Sequence, residues 1–444
     1  MEKPVALCYG LLFWYTIYMN GSRFFHSISL ENLLSYNGKH TLQLEPLNVL
    51  IGGNGTGKSN LIECFRLLNS LPIDLTAPFL NSGGVREWFN KKNPDQLAVE
   101  AVVDLIPAIQ QIANHNQIGR KPSIKEKPNP SIETPLVKYK LKLTHDGILP
   151  QITSETVSDA YWGNVYSWTS GEQPIIRSIK FAQNSWDILE NSLEQLDSAQ
   201  FTREQSILKQ IKDPSRYLIL SLLQTAFSSI RLYTDFSFGR SRGFRLSSSR
   251  FTPRFDGLSS AQLDSNLSNL SFVLYRLQDD QEAFAKLVEA FKQFLPSVDK
   301  LVIEWNQDAV QLSVIEVSGV KTPSTRLSDG TLRFLALLTV LYHPAPPPLV
   351  CIEEPELGMH PDIIPIIADL LIEASQRTQI VVTTHSTMLV SAVGETCPEA
   401  VIVCERNDDG TQMRRLDKEQ LAPWLERYTL GDLWMKGEIG GTRW

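Results

Sequence analysis

Residues 52–59 constrain the fold of this chain more than any other segment, because they read Gly-Gly-Asn-Gly-Thr-Gly-Lys-Ser. They match the phosphate-binding pattern GxxxxGK[ST] in full. The apolar run Leu47 to Ile51 precedes them and predicts a buried strand, while Leu61 to Leu68 has helical spacing. A strand–loop–helix unit of this kind predicts a parallel α/β core that carries a phosphate-binding loop.

The residue types in this loop suit phosphate binding. Glycines let backbone N–H groups approach phosphate oxygens without a side chain in the way, and the following helix adds the positive end of its dipole. Lys58 would reach the β- and γ-phosphates, and the Ser59 hydroxyl would bind Mg²⁺. The alternative is a glycine-rich turn that matches by chance, which both flanking elements disfavour. The predicted nucleotide-binding residues are Gly52, Gly53, Asn54, Gly55, Thr56, Gly57, Lys58, Ser59 and Asn60.

Two carboxylates follow an apolar strand predicted from Pro348 to Ile352. One carboxylate can hold Mg²⁺ opposite Ser59, and the next can polarise an attacking water. We therefore assign Glu353 to the metal and Glu354 to the water. The alternative is a charged strand end that is only solvated.

A histidine follows another buried strand, predicted from Ile380 to Thr384. At the carboxyl end of a strand in an α/β sheet, His385 could contact the γ-phosphate or the attacking water. A single histidine is more often structural, and this is the alternative.

Ser328-Asp329-Gly330 opens an apolar helix predicted from Leu332 to Leu341. A Ser-x-Gly turn at a helix N-terminus is an anion site, although an isolated turn of this kind is equally consistent with a helix cap. Because the chain already has a phosphate-binding loop, a second anion site at this turn suggests two ATP molecules shared across a homodimer. Ser328 of one subunit would then cap the γ-phosphate bound by the other.

Together these four elements resemble those of the ABC-type ATPase superfamily. The nearer likeness is to its non-transporter branch, the RecF-, SMC- and OLD-like ATPases, which includes stand-alone bacterial ATPases of the AAA family. The likeness covers about 23–105 and 300–405, in the order that the family uses. The sequences that carry it are PLNVLIGGNGTGKSNLIECFRLL, LSDGTLRF, VCIEEPELGMHP, TTHST and the closing YTLGDLWMKGEIGG.

The resemblance implies an α/β P-loop NTPase of the ABC/SMC-head type, with an antiparallel β portion and an inserted, mainly helical region. It implies ATP and Mg²⁺ as ligands and a homodimer that encloses two ATP molecules. The residues then take family roles: Gly52, Gly57, Lys58 and Ser59 form Walker A, Ser328 and Gly330 the signature, Glu353 and Glu354 Walker B, His385 the switch histidine, and Glu356 to His360 the D-loop.

Several positions depart from the family pattern. Asp329 and Thr331 stand where transporters have Gly and Gln, and Glu353 stands where Asp is commoner. Gln96 is only a weak candidate for the Q-loop glutamine. After His385 only 59 residues remain, and they contain no acidic D-x-D pair, so we predict no intrinsic nuclease.

The interpretation is a Mg²⁺-dependent ATPase whose ATP-dependent dimerisation regulates a process on nucleic acid or on an effector protein encoded by a neighbouring gene. DNA repair and phage defence enter by family analogy alone. Two alternatives stay open: the nucleotide-binding subunit of a transporter, and a small-molecule P-loop kinase. The absence of a visible membrane-coupling element disfavours the first, and the paired signature and Walker B motifs disfavour the second.

Composition limits the partners. The 444 residues include 42 Lys and Arg against 49 Asp and Glu, which gives a net charge of −7. This balance argues against a wholly basic surface but allows a local one. Between Asp235 and Asp256 there is no acidic residue, and arginines alternate with phenylalanines that could stack on bases. The alternative is a solvated Ser/Gly-rich loop. The nucleic-acid candidates are Arg240, Arg242, Arg245, Arg250 and Arg254.

The predicted organisation has five parts. They are an apolar extension (1–22), the N-terminal part of the head with Walker A (23–182), a mainly helical region (183–295), the C-terminal part of the head (296–405) and a tail (406–444). In the helical region we expect helices at Trp186 to Leu196, Gln205 to Ile211, Tyr217 to Leu232 and Leu267 to Phe294. Leu301 to Val317 predicts a β-hairpin.

The uncharged run Val5 to Met19 is shorter than the ~20 residues that span a bilayer. We hypothesise that translation starts at Met19; the alternative is an apolar arm or anchor. The five cysteines are scattered and contain no CxxC pair, which fits a reducing cytoplasm without disulfides. Cys351 and Cys404 lie in apolar runs and should be buried.

Overall fold

The structure is a computed structural model, and it describes residues 23–105, 136–159, 163–181, 188–197, 201–234, 262–306 and 309–441. These residues form three sheets and the helices that cover them. The strands are β1 (Phe25–Glu31), β2 (Lys39–Gln43), β3 (Leu47–Ile51), β4 (Leu97–Asp104), β5 (Leu136–His145), β6 (Pro150–Asp159), β7 (Gly163–Thr169), β8 (Ile175–Phe181), β9 (Ile188–Gln195), β10 (Arg231–Tyr233), β11 (Val298–Asn306), β12 (Ala309–Glu316), β13 (Lys321–Pro323), β14 (Leu349–Glu353), β15 (Gln379–Thr383), β16 (Val401–Asn407) and β17 (Gly410–Arg415). The α-helices are α1 (Lys58–Ser70), α2 (Ala77–Asn81), α3 (Ile207–Gln210), α4 (Leu218–Ser228), α5 (Leu270–Leu277), α6 (Gln281–Phe294), α7 (Asp329–Leu341), α8 (Ile364–Ser375), α9 (Thr387–Thr396), α10 (Lys418–Leu425) and α11 (Leu430–Met435).

The phosphate-binding loop follows β3, an inner strand of a largely parallel sheet. Its strands run in the order β10-β14-β15-β3-β16, and β17 pairs antiparallel with β16 at the edge. Every residue of β3 and β15 is buried, as expected for strands that are covered on both faces. Because β14, β15 and β3 are parallel neighbours, the segments that follow them meet at one edge of the sheet.

Alternate residues of the parallel strands enter two separate cores. Val49 and Val382 pack in one core with helices α7, α8 and α9. Leu50 and Val381 pack in the other core with α1 and the antiparallel sheet. This division follows from the alternation of side chains along a strand, and it holds α1, which begins at the loop, against one face.

The antiparallel portion is an eight-stranded sheet in the order β2-β1-β4-β5-β6-β7-β8-β9. A smaller sheet, β11-β12-β13, packs with α5 and α6 in the same hydrophobic core as α7. The predicted fold class, an α/β P-loop core with an antiparallel β portion, is therefore confirmed. The hairpin predicted from Leu301 to Val317 is also confirmed as β11 and β12.

Parts of the helical prediction for 183–295 are wrong. The helix predicted from Trp186 to Leu196 is a strand over Ile188–Gln195, which pairs with β8. Leu189, Leu193 and Leu196 have helical spacing in the sequence, but pairing with a neighbouring strand overrides this weak local preference.

Two further predicted helices are shorter than expected. The helix predicted from Tyr217 to Leu232 ends at Ser228, and Arg231–Tyr233 form β10, which pairs with β14 in the parallel sheet. The helix predicted from Leu267 to Phe294 is divided into α5 and α6, because the Asp280 side chain accepts a hydrogen bond from the Ala283 amide and starts a new helix.

The remaining predictions divide into tested and untested ones. Cys351 and Cys404 are fully buried, as predicted. The segment 1–22, with its hypothesised start at Met19, and the arginine segment 235–256 lie outside the described residues, so both stay predictions, as does the five-part organisation. No helix in the part of the chain that the structure describes is long and apolar enough to cross a membrane.

Candidate functional site

The loop 52–57 leaves β3 and turns sharply into α1. Gly52 has φ +147° and Gly57 has φ +98°, conformations that favour glycine. A Cβ on Gly52 would lie 2.3 Å from the Cys404 carbonyl oxygen, and a Cβ on Gly57 would lie 2.4 Å from Thr411 Oγ1. The loop is therefore packed against β16 and β17, while Asn54 and Gly55 are exposed at its tip.

Lys58, the first residue of α1, folds back into this loop. Its ammonium group donates hydrogen bonds to the carbonyl oxygens of Gly52 (2.8 Å) and Gly53 (2.9 Å). Burial lowers the pKa of Lys58 from its usual value, and the carboxylates of Glu354 and Glu353 oppose that shift. Lys58, the predicted phosphate ligand, thus lies inside the loop. It is also close to Glu353, at the end of β14, and to Glu354, which follows it.

Ser59 and Glu353 come together as predicted. The Ser59 hydroxyl lies near enough to the Glu353 carboxylate to lower its pKa, while Glu353 Oε1 is buried without a hydrogen-bond partner among the described residues. Burial raises the pKa of Glu353. The negative charges of Glu63 and Glu354 raise it further, whereas the positive charge of Arg66 lowers it. A buried, unpartnered carboxylate oxygen beside a hydroxyl in a negative field suits a hard divalent cation such as Mg²⁺.

Glu354 lies at the mouth of the site with an unusual backbone. Its φ is +46°, which is rare for a residue other than glycine and is typical of strained positions in functional sites. The Glu354 amide donates to the carbonyl oxygen of Thr383 on the neighbouring strand. The Glu354 carboxylate lies beside His385, with 3.9 Å between Glu354 Oε1 and His385 Nε2.

His385 is half-exposed beside Glu354. Burial, followed by the positive charge of Lys58, lowers the pKa of His385 below its usual 6.5, and Glu354 opposes the shift. This shift favours the neutral imidazole, which offers one donor and one acceptor. Its backbone is held by Glu356, which accepts hydrogen bonds from the Thr384 hydroxyl and from the His385 amide.

The signature turn lies elsewhere on the head. Ser328 is exposed and caps α7, accepting a hydrogen bond from the Thr331 amide (3.1 Å). A Cβ on Gly330 would lie 3.0 Å from the Gly358 carbonyl oxygen, and Arg333 donates to the Leu357 carbonyl oxygen (2.7 Å). The structure thus joins the signature to the D-loop segment, and the hydrogen bonds of Ser328 stay within its own turn.

Several residues near the loop carry no motif and were missed from the sequence. Thr411 on β17 donates to the Thr56 carbonyl oxygen, and Arg406 donates to the Gly55 carbonyl oxygen. Arg406 also borders a cavity of about 330 Å³ beside Asn60 and Ser35. No local pattern could have revealed them, because the strands that carry them follow the loop by about 350 residues.

One predicted residue lies outside this site, and one predicted group is not among the described residues. Gln96, the weak Q-loop candidate, is exposed just before β4. The arginines of the segment 235–256 lie outside the described residues. The residues that the structure does bring together are Gly52, Gly57, Lys58, Ser59, Glu353, Glu354 and His385.

Two family models match parts of the chain. An AAA-domain family described as a putative AbiEii toxin of a type IV TA system matches residues 185–391, and a second AAA-domain family matches residues 27–68. No curated protein matches the chain.

Solved structures show where the fold recurs. An SMC head bound to the C-winged-helix domain of ScpA is 14% identical, with a TM-score of 0.51 over 90% of this chain and 99% of that one. An SMC head with an extended coiled coil from Pyrococcus furiosus, bound to the C-terminal domain of ScpA, is 14% identical, with a TM-score of 0.50 over 91% of this chain and 98% of that one.

Proposed function

We propose that the chain binds Mg²⁺-ATP and hydrolyses it at the edge of the parallel sheet, because its fold recurs in SMC heads and part of it matches an AAA-domain family. One observation carries the proposal. Three parallel strands bring the site together: Lys58 and Ser59 follow β3, Glu353 and Glu354 lie at the end of β14, and His385 follows β15. Glu354 lies 3.9 Å from His385, and both acidic residues act on the buried ammonium group of Lys58.

The residues divide the work of phosphoryl transfer. Lys58 would transfer its two loop hydrogen bonds to phosphate oxygens. Ser59 and Glu353 would hold Mg²⁺, which neutralises charge on the β- and γ-phosphates. Glu354 would orient the attacking water, and neutral His385 would add one hydrogen bond at the γ-phosphate or at that water. The cavity beside Asn60 and Arg406 would take the nucleoside.

The metal assignment is tested by Glu353→Ala. We expect the Mg²⁺ concentration for half-maximal ATPase rate to rise by at least the ~10–100-fold that loss of supporting metal contacts produces elsewhere. ATP binding in EDTA should be unchanged, because Lys58 and the loop are intact. Glu63→Gln is the matched control, since its carboxylate is close by but is bonded to Arg66. An unchanged Mg²⁺ requirement in Glu353→Ala would exclude Glu353 as the metal ligand.

ATP-dependent homodimerisation is the second part of the proposal. Its support is the exposed Ser328 turn, which is anchored to the D-loop segment through Arg333 and is free to face another subunit. SMC heads of this fold are solved with ScpA domains bound, so an effector protein is a reasonable partner here. A regulatory role in DNA repair or phage defence, the lack of an intrinsic nuclease and a cytoplasmic location stay predictions.

Nucleic-acid binding rests on the arginine segment and has its own test. Changing Arg240, Arg242 and Arg245 to Ala should weaken DNA or RNA binding and reduce the salt dependence by about one unit of log–log slope for each lost phosphate contact. The control changes Lys121, Lys125 and Lys127 to Ala in the Lys- and Pro-rich run 121–128, which the sequence predicts to be a solvated loop. Equal binding by wild type and both triple variants would remove nucleic acid from the proposal.

A further inference from the structure

The C-terminal strap, residues 429–441, contacts two distant parts of the site. At its first end, α11 packs unusually closely on α9. A Cβ on Gly431 would lie 2.3 Å from the Thr387 carbonyl oxygen, and the Gly431 amide donates to Ser391 Oγ. Since α9 begins at Thr387, two residues after His385, the strap is fixed to the helix that follows the switch histidine.

The other end of the strap reaches the first glycine of the phosphate-binding loop. A Cβ on Gly441 would lie 3.0 Å from Val403 Cγ1, 3.2 Å from Trp434 Nε1 and 3.4 Å, an ordinary van der Waals distance, from the Cα of Gly52. The Gly441 amide donates to Glu405 Oε1 (2.9 Å), and Trp434 Nε1 donates to the Gly441 carbonyl oxygen (3.3 Å). Glu405 on β16 and Trp434 on α11 thus hold Gly441 at the point where the strap contacts the loop.

Packing makes this connection stiff. Leu430, Leu433, Trp434 and Ile439 are all buried in the same core as α9, and Arg414 donates to the Ile439 carbonyl oxygen (2.9 Å). Gly52, which the strap touches, also supplies a carbonyl oxygen that accepts from Lys58. A displacement of the strap would therefore move the backbone that holds the phosphate-binding lysine.

We propose that the strap positions the phosphate-binding loop relative to His385, with Trp434 and Glu405 as positioning residues that act through Gly441 and Gly52. The inference rests on the proposed ATPase function, which it deepens. It extends the site to a segment that carries none of the nucleotide-binding motifs. A strap that only stabilises the fold would lower the melting temperature without a selective change at the loop.

The first test compares Gly441→Ala with Gly319→Ala. Both glycines have positive φ, +75° and +85°, but a Cβ on Gly319 meets nothing within 4 Å. We expect amide hydrogens of residues 52–60 to exchange about tenfold faster in Gly441→Ala than in the control, because only in that variant must Gly441 shift away from Val403 and Trp434 and so change its contact with Gly52. Equal exchange in the two variants would overturn the proposal. This measurement needs no nucleotide, so it stands apart from the ATPase question.

The second test uses milder changes and kinetics, in case Gly441→Ala fails to fold. Trp434→Phe keeps the packing ring but removes the hydrogen bond to Gly441, and Trp424→Phe, at a half-exposed position, is the control. We expect KM for ATP to rise about five- to tenfold, as for one lost hydrogen bond, with a smaller change in kcat. Glu405→Ala should behave in the same way, and Glu405→Gln should restore KM because its amide oxygen still accepts from Gly441.

The results separate the two proposals. Unchanged KM in Trp434→Phe and Glu405→Ala, at a temperature where both are folded, would exclude the strap as a positioning element. A wild-type protein that neither binds nor hydrolyses ATP would refute the proposed function instead. The faster exchange of the loop in Gly441→Ala would still support the strap in that case.

Discussion

Glu354→Gln is expected to slow ATP hydrolysis by about 10²–10⁴-fold, the range typical of losing a general base. The amide keeps the size of the side chain but has no charge with which to orient and polarise water. ATP binding should persist, because Lys58, Ser59 and Glu353 are unchanged. Steady-state phosphate release and equilibrium nucleotide binding measure the two quantities. Glu395→Gln, an exposed carboxylate on α9, is the control and should keep the wild-type rate.

The same variant tests the dimer. If two heads enclose ATP, slow hydrolysis should trap the closed form, and light scattering should give twice the monomer mass only with Mg²⁺-ATP. Adding Ser328→Arg should return the monomer, because a large side chain would enter the interface, whereas Thr325→Arg, at an exposed position outside the signature turn, should not. A Glu354→Gln protein that stays monomeric while saturated with ATP would contradict the proposed sandwich.

The central part of the fold follows from local sequence. Each strand of the parallel core except the short β10 and the edge strand β17 is a brief apolar run, and each run stands next to a helical segment. Glu353 and Thr383 are the last residues of adjacent parallel strands. The sequence alone therefore allowed the expectation that Glu354 and His385 lie close together. The geometry of parallel strands, and not the identity of the residues alone, makes this possible.

What could not be predicted depends on contacts between distant segments. β9 forms because β8 offers a pairing edge, although its own leucines have helical spacing. Arg406 and Thr411 support the loop only because β16 pairs with β3 across some 350 residues. The strap likewise contacts Gly52 through tertiary packing. No periodicity within a segment encodes such contacts, since their energy depends on two surfaces that meet only in the folded chain.

Gly52→Ala should cause the largest loss of nucleotide affinity among single-methyl substitutions in the loop. The added Cβ would lie 2.3 Å from the Cys404 carbonyl oxygen and 2.9 Å from Thr56 Oγ1, so the backbone must move. The φ of +147° adds strain of about 1–3 kcal/mol, because alanine rarely adopts it. Lys58 would lose its position, since the Gly52 carbonyl oxygen is one of its two hydrogen-bond acceptors.

The matched control is Gly163→Ala, at the start of β7. Its φ is +69° and a Cβ there meets nothing within 4 Å, so the left-handed backbone alone should cost about 1–2 kcal/mol of unfolding free energy. Urea unfolding should show both variants destabilised, and Gly52→Ala more so. ATP titration at a temperature where both are folded should show wild-type affinity for Gly163→Ala and at least about a tenfold loss for Gly52→Ala, the equivalent of about 1.4 kcal/mol. Equal affinity in the two variants would mean that the contact between the loop and β16 does not shape the nucleotide site.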